Sequence, residues 1–203
     1  MASGRPTTAV NRAGLAAVGG LRTLVWDLDP QGAASFALGY DRRSRRAARN
    51  ITRKRPALDE AAVGTATPGL DLVPSDISLQ NDNALRAAHL YLASIVPSAL
   101  AARAFEQLVT YIDDDKAPGQ RLGFLSMVDR RKRTHRELAE QLARDDRRIL
   151  RSAIPAAVAI EASPAHGVPF VLTNQSSRAA IAYRDLWNEI QTRDHGQVIA
   201  DAH

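Results

Sequence analysis

Cysteine is absent from the 203 residues, so the chain can form no disulfide, no thiolate metal site and no cysteine nucleophile. No stretch reaches the roughly 18 consecutive apolar residues that would span a bilayer, and the first residues lack the apolar core of a secretory signal. We therefore expect a cytoplasmic protein with no membrane contact. What is present is 45% hydrophobic residues, enough to bury one substantial core, and the simplest expectation is a single domain over 1–203.

The net charge is +5, and much of the arginine lies in runs. The densest is Arg42, Arg43, Arg45, Arg46, Arg49, Arg53, Lys54 and Arg55. Such runs favour polyanions, because each cation set against a phosphate releases condensed counterions. No aromatic residue interrupts this one, which suits phosphate contact or plain solvation and argues against base stacking.

An Ala-rich segment running to about Val18 reads as a helix closed by Gly19 and Gly20. Strands are expected at Leu24–Trp26, at Gly69–Ser75 up to Pro74, at Leu90–Pro97, at Arg121–Asp129 and at Ile149–Ile154, where Pro155 ends the run. Ser98 is placed to cap a helix reaching Ile112, a second helix is expected from Glu137 to about Arg144, and a small one begins near Leu58–Ala62. Tyr183, Leu186, Trp187 and Ile190 fall at helical spacing and read as core. Asp113, Asp114 and Asp115 read as a solvated loop after a helix, and His166 as a turn residue without chemistry.

The chemistry is stated in Leu24-Val25-Trp26-Asp27-Leu28-Asp29-Pro30-Gln31-Gly32. A short β-prone run ends in two carboxylates, Pro and Gly, which sets Asp27 and Asp29 at the carboxyl end of a strand. Ligands bind at that edge of an open parallel sheet, so the pair suggests metal or water-activating work. The plainer reading is a turn with a capping Asp.

The stretch Asp27 to Ser35 resembles the D-L-D-P-Q-G-N-x-S segment of ParA/Soj-type partition ATPases, with Ala33 in place of Asn. Gly4-Arg5-Pro6-Thr7-Thr8-Ala9-Val10-Asn11 resembles the G-K-T-T-T-A-V-N that closes their deviant Walker A loop. Leu70 to Ser75, Gly123 to Asp129, Ala165 to Pro169 and Ser177 to Tyr183 resemble further family segments in the same order.

The resemblance implies an α/β fold, doubly wound, with a mostly parallel sheet and helices on both faces, and a single ParA-like nucleotide-binding domain. It also implies ATP and Mg²⁺ as cofactors, with Gly4, Arg5, Thr7 and Thr8 facing nucleotide, Asp27 in the metal shell and Asp29 positioning the attacking water. Arg178 falls on an Arg that contributes to sequence-independent DNA binding. Implied partners are non-specific DNA, a ParB-like centromere-binding protein and a second copy of the chain, with a place on the nucleoid.

The departures are physical. Arg5 puts a planar guanidinium where the loop has a compact ammonium, and Pro6 offers neither hydroxyl nor N–H where the metal-binding Thr belongs. The K-G-G-V half of the loop and its strand are missing. The residues between Val73 and His89 are too few for a helix and a Walker B strand, since a βαβ unit takes roughly 30. We expect the sheet to lack both strands, exposing strand edges and weakening cooperativity. Three readings stay open: a partition ATPase with impaired hydrolysis, an ATP-independent DNA-binding or regulatory relic, and a truncated product without activity.

Overall fold

The structure is a computed structural model that describes residues 5–29, 31–40, 62–75, 88–116 and 118–200, with backbone alone for 5–6 and 194–200. The run from Arg42 to Arg55, most of the small helix expected at Leu58–Ala62, and Gly4 lie outside the described residues. So does 76–87, where the Walker B strand would have stood. The described strands make two three-stranded sheets, and the chain divides into two compact units, Met1–Asn81 with Val158–Ala180 and Asp82–Ala157 with Ile181–His203. The fold is α/β and mostly parallel, as the resemblance implies.

The first unit opens with α1 (Arg5–Val18), followed by β1 (Thr23–Trp26), α2 (Ala33–Ala37), β2 (Val63–Gly64) and β3 (Leu70–Val73). The order across its sheet is β1-β3-β2. β1 runs parallel to β3, with Thr23 opposite Leu70 and Trp26 opposite Val73, and β2 lies antiparallel on the far side of β3. Two residues of β2 carry no readable alternation, which is why the sequence does not announce it.

Helix α1 packs on β1, β3 and α2. Val10, Ala13 and Ala17 enter one core with Val25, Leu38, Leu70 and Leu72. Small side chains let the helix come close: a Cβ on Gly14 would stand 2.7 Å from Pro169 Cβ. Asn11, fully buried, donates its Nδ2 hydrogen to the Thr7 carbonyl at 2.8 Å and accepts the Val171 N–H at 2.8 Å. That amide ties α1 to α6 (Phe170–Thr173), which follows α5 (Val158–Ala162) and a 3-10 turn (Ser163–His166). A buried amide without these partners would cost about 1–3 kcal/mol.

The second unit holds β4 (Leu90–Ile95), α3 (Ala99–Asp114), β5 (Gln120–Val128), α4 (Arg133–Asp145) and β6 (Ile149–Pro155), in the sheet order β4-β5-β6, all parallel. Ser98 caps α3 as expected, its Oγ accepting the Ala101 N–H at 3.1 Å. β5 is buried on both faces, through Leu122 and Phe124 on one and Leu125 on the other, as the middle strand of a parallel sheet must be. Gly123 admits the α3 ring above it: a Cβ there would meet Ile95 Cδ1 at 2.6 Å and Phe105 Cζ at 3.2 Å.

Three expectations are corrected. Asp113 and Asp114 are the last residues of α3 and not a loop, because Val109 and Ile112 keep its apolar face buried to that point. α4 starts at Arg133, earlier than Glu137, with Arg133 and Glu137 paired one turn apart at 2.6 Å. Pro155 does not stop β6 short but closes it, opposite Val128, a position open to Pro because β6 is an edge strand. No described helix is long and apolar enough to cross a membrane.

Helix α7 (Arg178–Ala200) begins in the first unit and continues in the second. Tyr183, Leu186 and Ile190 are buried and Trp187 half-buried. Its Glu189 takes the N–H groups of Arg151 and Ser152 on the edge strand β6, at 2.9 and 2.8 Å. Burial works to raise this carboxyl, but the two N–H groups and Arg193 outweigh it and hold it below the ordinary glutamate range. A depressed folded value gives stability that is present above the unfolded pKa and is lost as pH falls through the folded one. Glu189→Gln should leave one β6 N–H facing an amide NH₂ and destabilise by about 1–2 kcal/mol. Urea midpoints of parent and variant should differ most at neutral pH and converge on acidification below the ordinary glutamate range.

With two sheets and two cores, thermal unfolding is expected to be broad or two-stepped. Calorimetry giving one sharp transition, with calorimetric and van't Hoff enthalpies equal, would show a single cooperative fold instead.

Candidate functional site

The carboxyl end of β1 passes straight into the site. Asp27 extends the β1–β3 ladder one step, its N–H donating to the Val73 carbonyl at 3.0 Å. Its side chain turns inward to 6% exposure, where Oδ2 accepts both the N–H and the O–H of Ser35, each at 2.7 Å. Oδ1 accepts the Asp29 N–H at 3.2 Å. Asp27 thus holds the first turn of α2. The Ser35 hydroxyl accepts in turn from the Ser75 N–H, just past β3, at 3.3 Å.

Asp29 is exposed and closes the turn: its Oδ1 accepts the Gln31 N–H at 2.9 Å and its carbonyl the Gly32 N–H at 2.8 Å. Gly32 has φ +68, and a Cβ there would lie 2.7 Å from Ser75 Oγ, so glycine alone meets both the backbone and the space. The plain turn-and-cap reading of this stretch therefore describes its geometry in full, with the cap being Asp27 and the turn Asp29.

Of the residues matched to the phosphate loop, Arg5 opens α1 and Thr7 and Thr8 follow in its first turns, at 9% and 3% exposure. The unit brings α1 against β1 and α2, so the Thr pair and the Asp pair belong to neighbouring elements. Arg178 stands exposed at the first turn of α7, where Ser177 Oγ accepts the Ala180 N–H at 3.1 Å. His166 is exposed on the 3-10 turn.

Ser35 is the residue that sequence reasoning passed over. It was visible in the motif, but only the eight-residue reach back to Asp27 gives it a role. A second strand tip, Asp129 after β5, is likewise committed: the Arg131 guanidinium and N–H bond its Oδ1, both at 3.1 Å, and the hydrogen bond from Arg131 lowers its carboxyl below the ordinary range.

A family model described as an AAA domain matches residues 2–88. A chromosome partitioning protein ParA of Caulobacter vibrioides is 27% identical over 246 residues, covering 94% of this chain and 90% of the relative. That alignment is longer than the 203-residue chain, so the relative carries internal residues that this chain lacks. Among solved structures, a plasmid partition protein of Borrelia burgdorferi bound to AMPPNP superposes with a TM-score of 0.76 at 14% identity, covering 94% of each chain. The septum site-determining protein MinD of Pyrococcus horikoshii, complexed with Mg-ADP, gives 0.69 at 16%, covering 92% of this chain and 90% of its own. An alignment running nearly the length of a partition protein, on a fold shared with a second partition protein and with MinD, points one way: the chain is similar to ParA-type partition proteins in sequence and has the fold of the partition and MinD structures.

Proposed function

We propose that the chain is a partition-type protein that holds DNA without sequence preference and without an ATP cycle, in the chromosome or plasmid segregation for which its relatives are named. On this reading its partners are DNA, a ParB-like protein and a second copy of itself, on the nucleoid.

The relatives' Mg-ADP and AMPPNP imply a Mg²⁺ nucleotide for the fold. The donors in this chain do not fit one. The observation that carries the reading is the Asp27–Ser35 pair: Oδ2 of the candidate metal-shell carboxylate is already filled by two donors at 2.7 Å and is shielded from water. Pro6, in the first turn of α1, has no hydroxyl for a cation and no N–H for a phosphate. No cluster of three or more His, Cys, Asp or Glu able to hold a metal occurs among the described residues. Phosphoryl transfer rests on positioning and charge stabilisation by the loop, its Lys and the metal, so an exposed Asp29 by itself supports no turnover.

DNA binding is supported by the net charge of +5 and by exposed Arg178 in the first turn of α7. Exposed cations also crowd the start of α4, at Arg130, Lys132 and Arg136. These residues suit backbone phosphates, which position a protein on a duplex without reading its sequence.

Phosphate release should stay at background with or without DNA, in the parent and in Asp29→Ala alike. DNA-stimulated release that Asp29→Ala abolishes would overturn the proposal. In gel shifts at low salt the protein should retard unrelated duplexes equally, with no response to ATP and a steep loss as salt rises. Arg178→Glu should weaken binding to every sequence and flatten the slope of log K against log salt by about 1. Absence of any shift by folded protein at low salt would leave the basic residues as solvated surface.

A further inference from the structure

We propose that the second unit carries a binding site for a small anion with two or three consecutive phosphates, in the cleft formed by the end of α4, the turn into β6 and one side of α7. The cleft has a volume of about 770 Å³. Small-molecule sites run to roughly 300–1,000 Å³, so the space suits a compact ligand. Its walls carry four guanidiniums, those of Arg144, Arg147, Arg151 and Arg193, against one lining carboxylate, Glu140.

The four are not equally free. Arg193 is anchored, donating to the Arg147 carbonyl and to Glu189 Oε1. Among the described residues Arg144 is paired with Asp145 alone, at 3.9 Å with both groups largely exposed, a pairing worth close to nothing. Arg147 and Arg151 are exposed and make no ion pair among the described residues. Neighbouring Arg148 differs: Asp146 and Glu106 hold its guanidinium at 2.7 Å each, and it points into the next cleft. Two guanidiniums that make no ion pair among the described residues therefore line one concavity, and their forks are available for bidentate bonds to phosphate oxygens.

The ligand class follows from what lines the cleft. Apart from arginine stems, the apolar contribution is Ala143 and Ile149, with no aromatic residue, so nothing there stacks on a base. A duplex presents its phosphates on a convex surface, whereas these guanidiniums face into a hollow. The chemistry selected is a short phosphate chain by itself.

The probe is sodium tripolyphosphate, titrated calorimetrically into the full chain at low ionic strength. Parent protein should bind it, and R147A/R151A should weaken it by about tenfold or more, two charge-assisted pairs being lost. The melting temperature should not change, because neither side chain serves a structural ion pair. E140Q should tighten binding by removing a like charge from the wall. Arg178→Glu should bind tripolyphosphate as the parent does, so this site and the DNA reading stand or fall separately. No binding by the parent, or equal binding by R147A/R151A, would overturn the site. Displacement of tripolyphosphate by unrelated duplex, with R147A/R151A losing affinity for both, would overturn the small-anion assignment and make the cleft part of a nucleic-acid surface.

Discussion

The Asp27 carboxylate, buried between Ser35's N–H and O–H, is the point on which the first unit turns. A bare carboxylate at 6% exposure would cost several kcal/mol, and the three donors aimed at it are what make the charge tolerable. Those donors come from the turn after β1 and the first turn of α2, and the Ser75 N–H beyond β3 joins through the same hydroxyl. One acid therefore fixes where β1 ends, where α2 begins and how β3 leaves the sheet. The carboxylate that the resemblance sets in a metal shell is thus also the one on which the local fold is built.

The second unit solves a different problem by similar means. Its strand β6 lies at a sheet edge, where unpaired N–H groups invite association with other chains. Glu189 covers two of them from α7, and Arg193 one turn on steadies both the carboxylate and the turn before β6. Asp146 is held below the ordinary aspartate range although burial works to raise it, because Arg148 donates to it from the side chain and the backbone. Around β6 the charge is arranged in local pairs. The cleft with Arg147 and Arg151 is conspicuous because it departs from that habit.

What the sequence made legible was what short-range rules govern. The end of α1 at Val18, the strand before Asp27, the Ser98 cap and the buried stripe of α7 all follow from spacing and capping within a few residues. β2 and α6, at two and four residues, are too short to carry a period. The Asp27–Ser35 bond could be guessed as a cap, but not its burial, since that depends on which way the carboxylate turns. Glu189 and β6 are 38 residues apart in sequence, and the cleft joins residue 193 to residues 140–151. No local pattern encodes such meetings; they exist only once the strands have set the register.

Interleaving of the two units sets a condition on how this chain is made. Met1–Asn81 waits for Val158–Ala180, and Asp82–Ala157 waits for the rest of α7. The bond from Val171 to Asn11 closes 160 residues of chain. A ribosome adding about 5–20 residues per second needs on the order of ten seconds or more to cover that distance. Through that interval Asn11 lacks its Val171 partner, and the side of α1 that meets Pro169 has nothing to pack on. The first unit is thus completed only late in synthesis, although its sheet is made early.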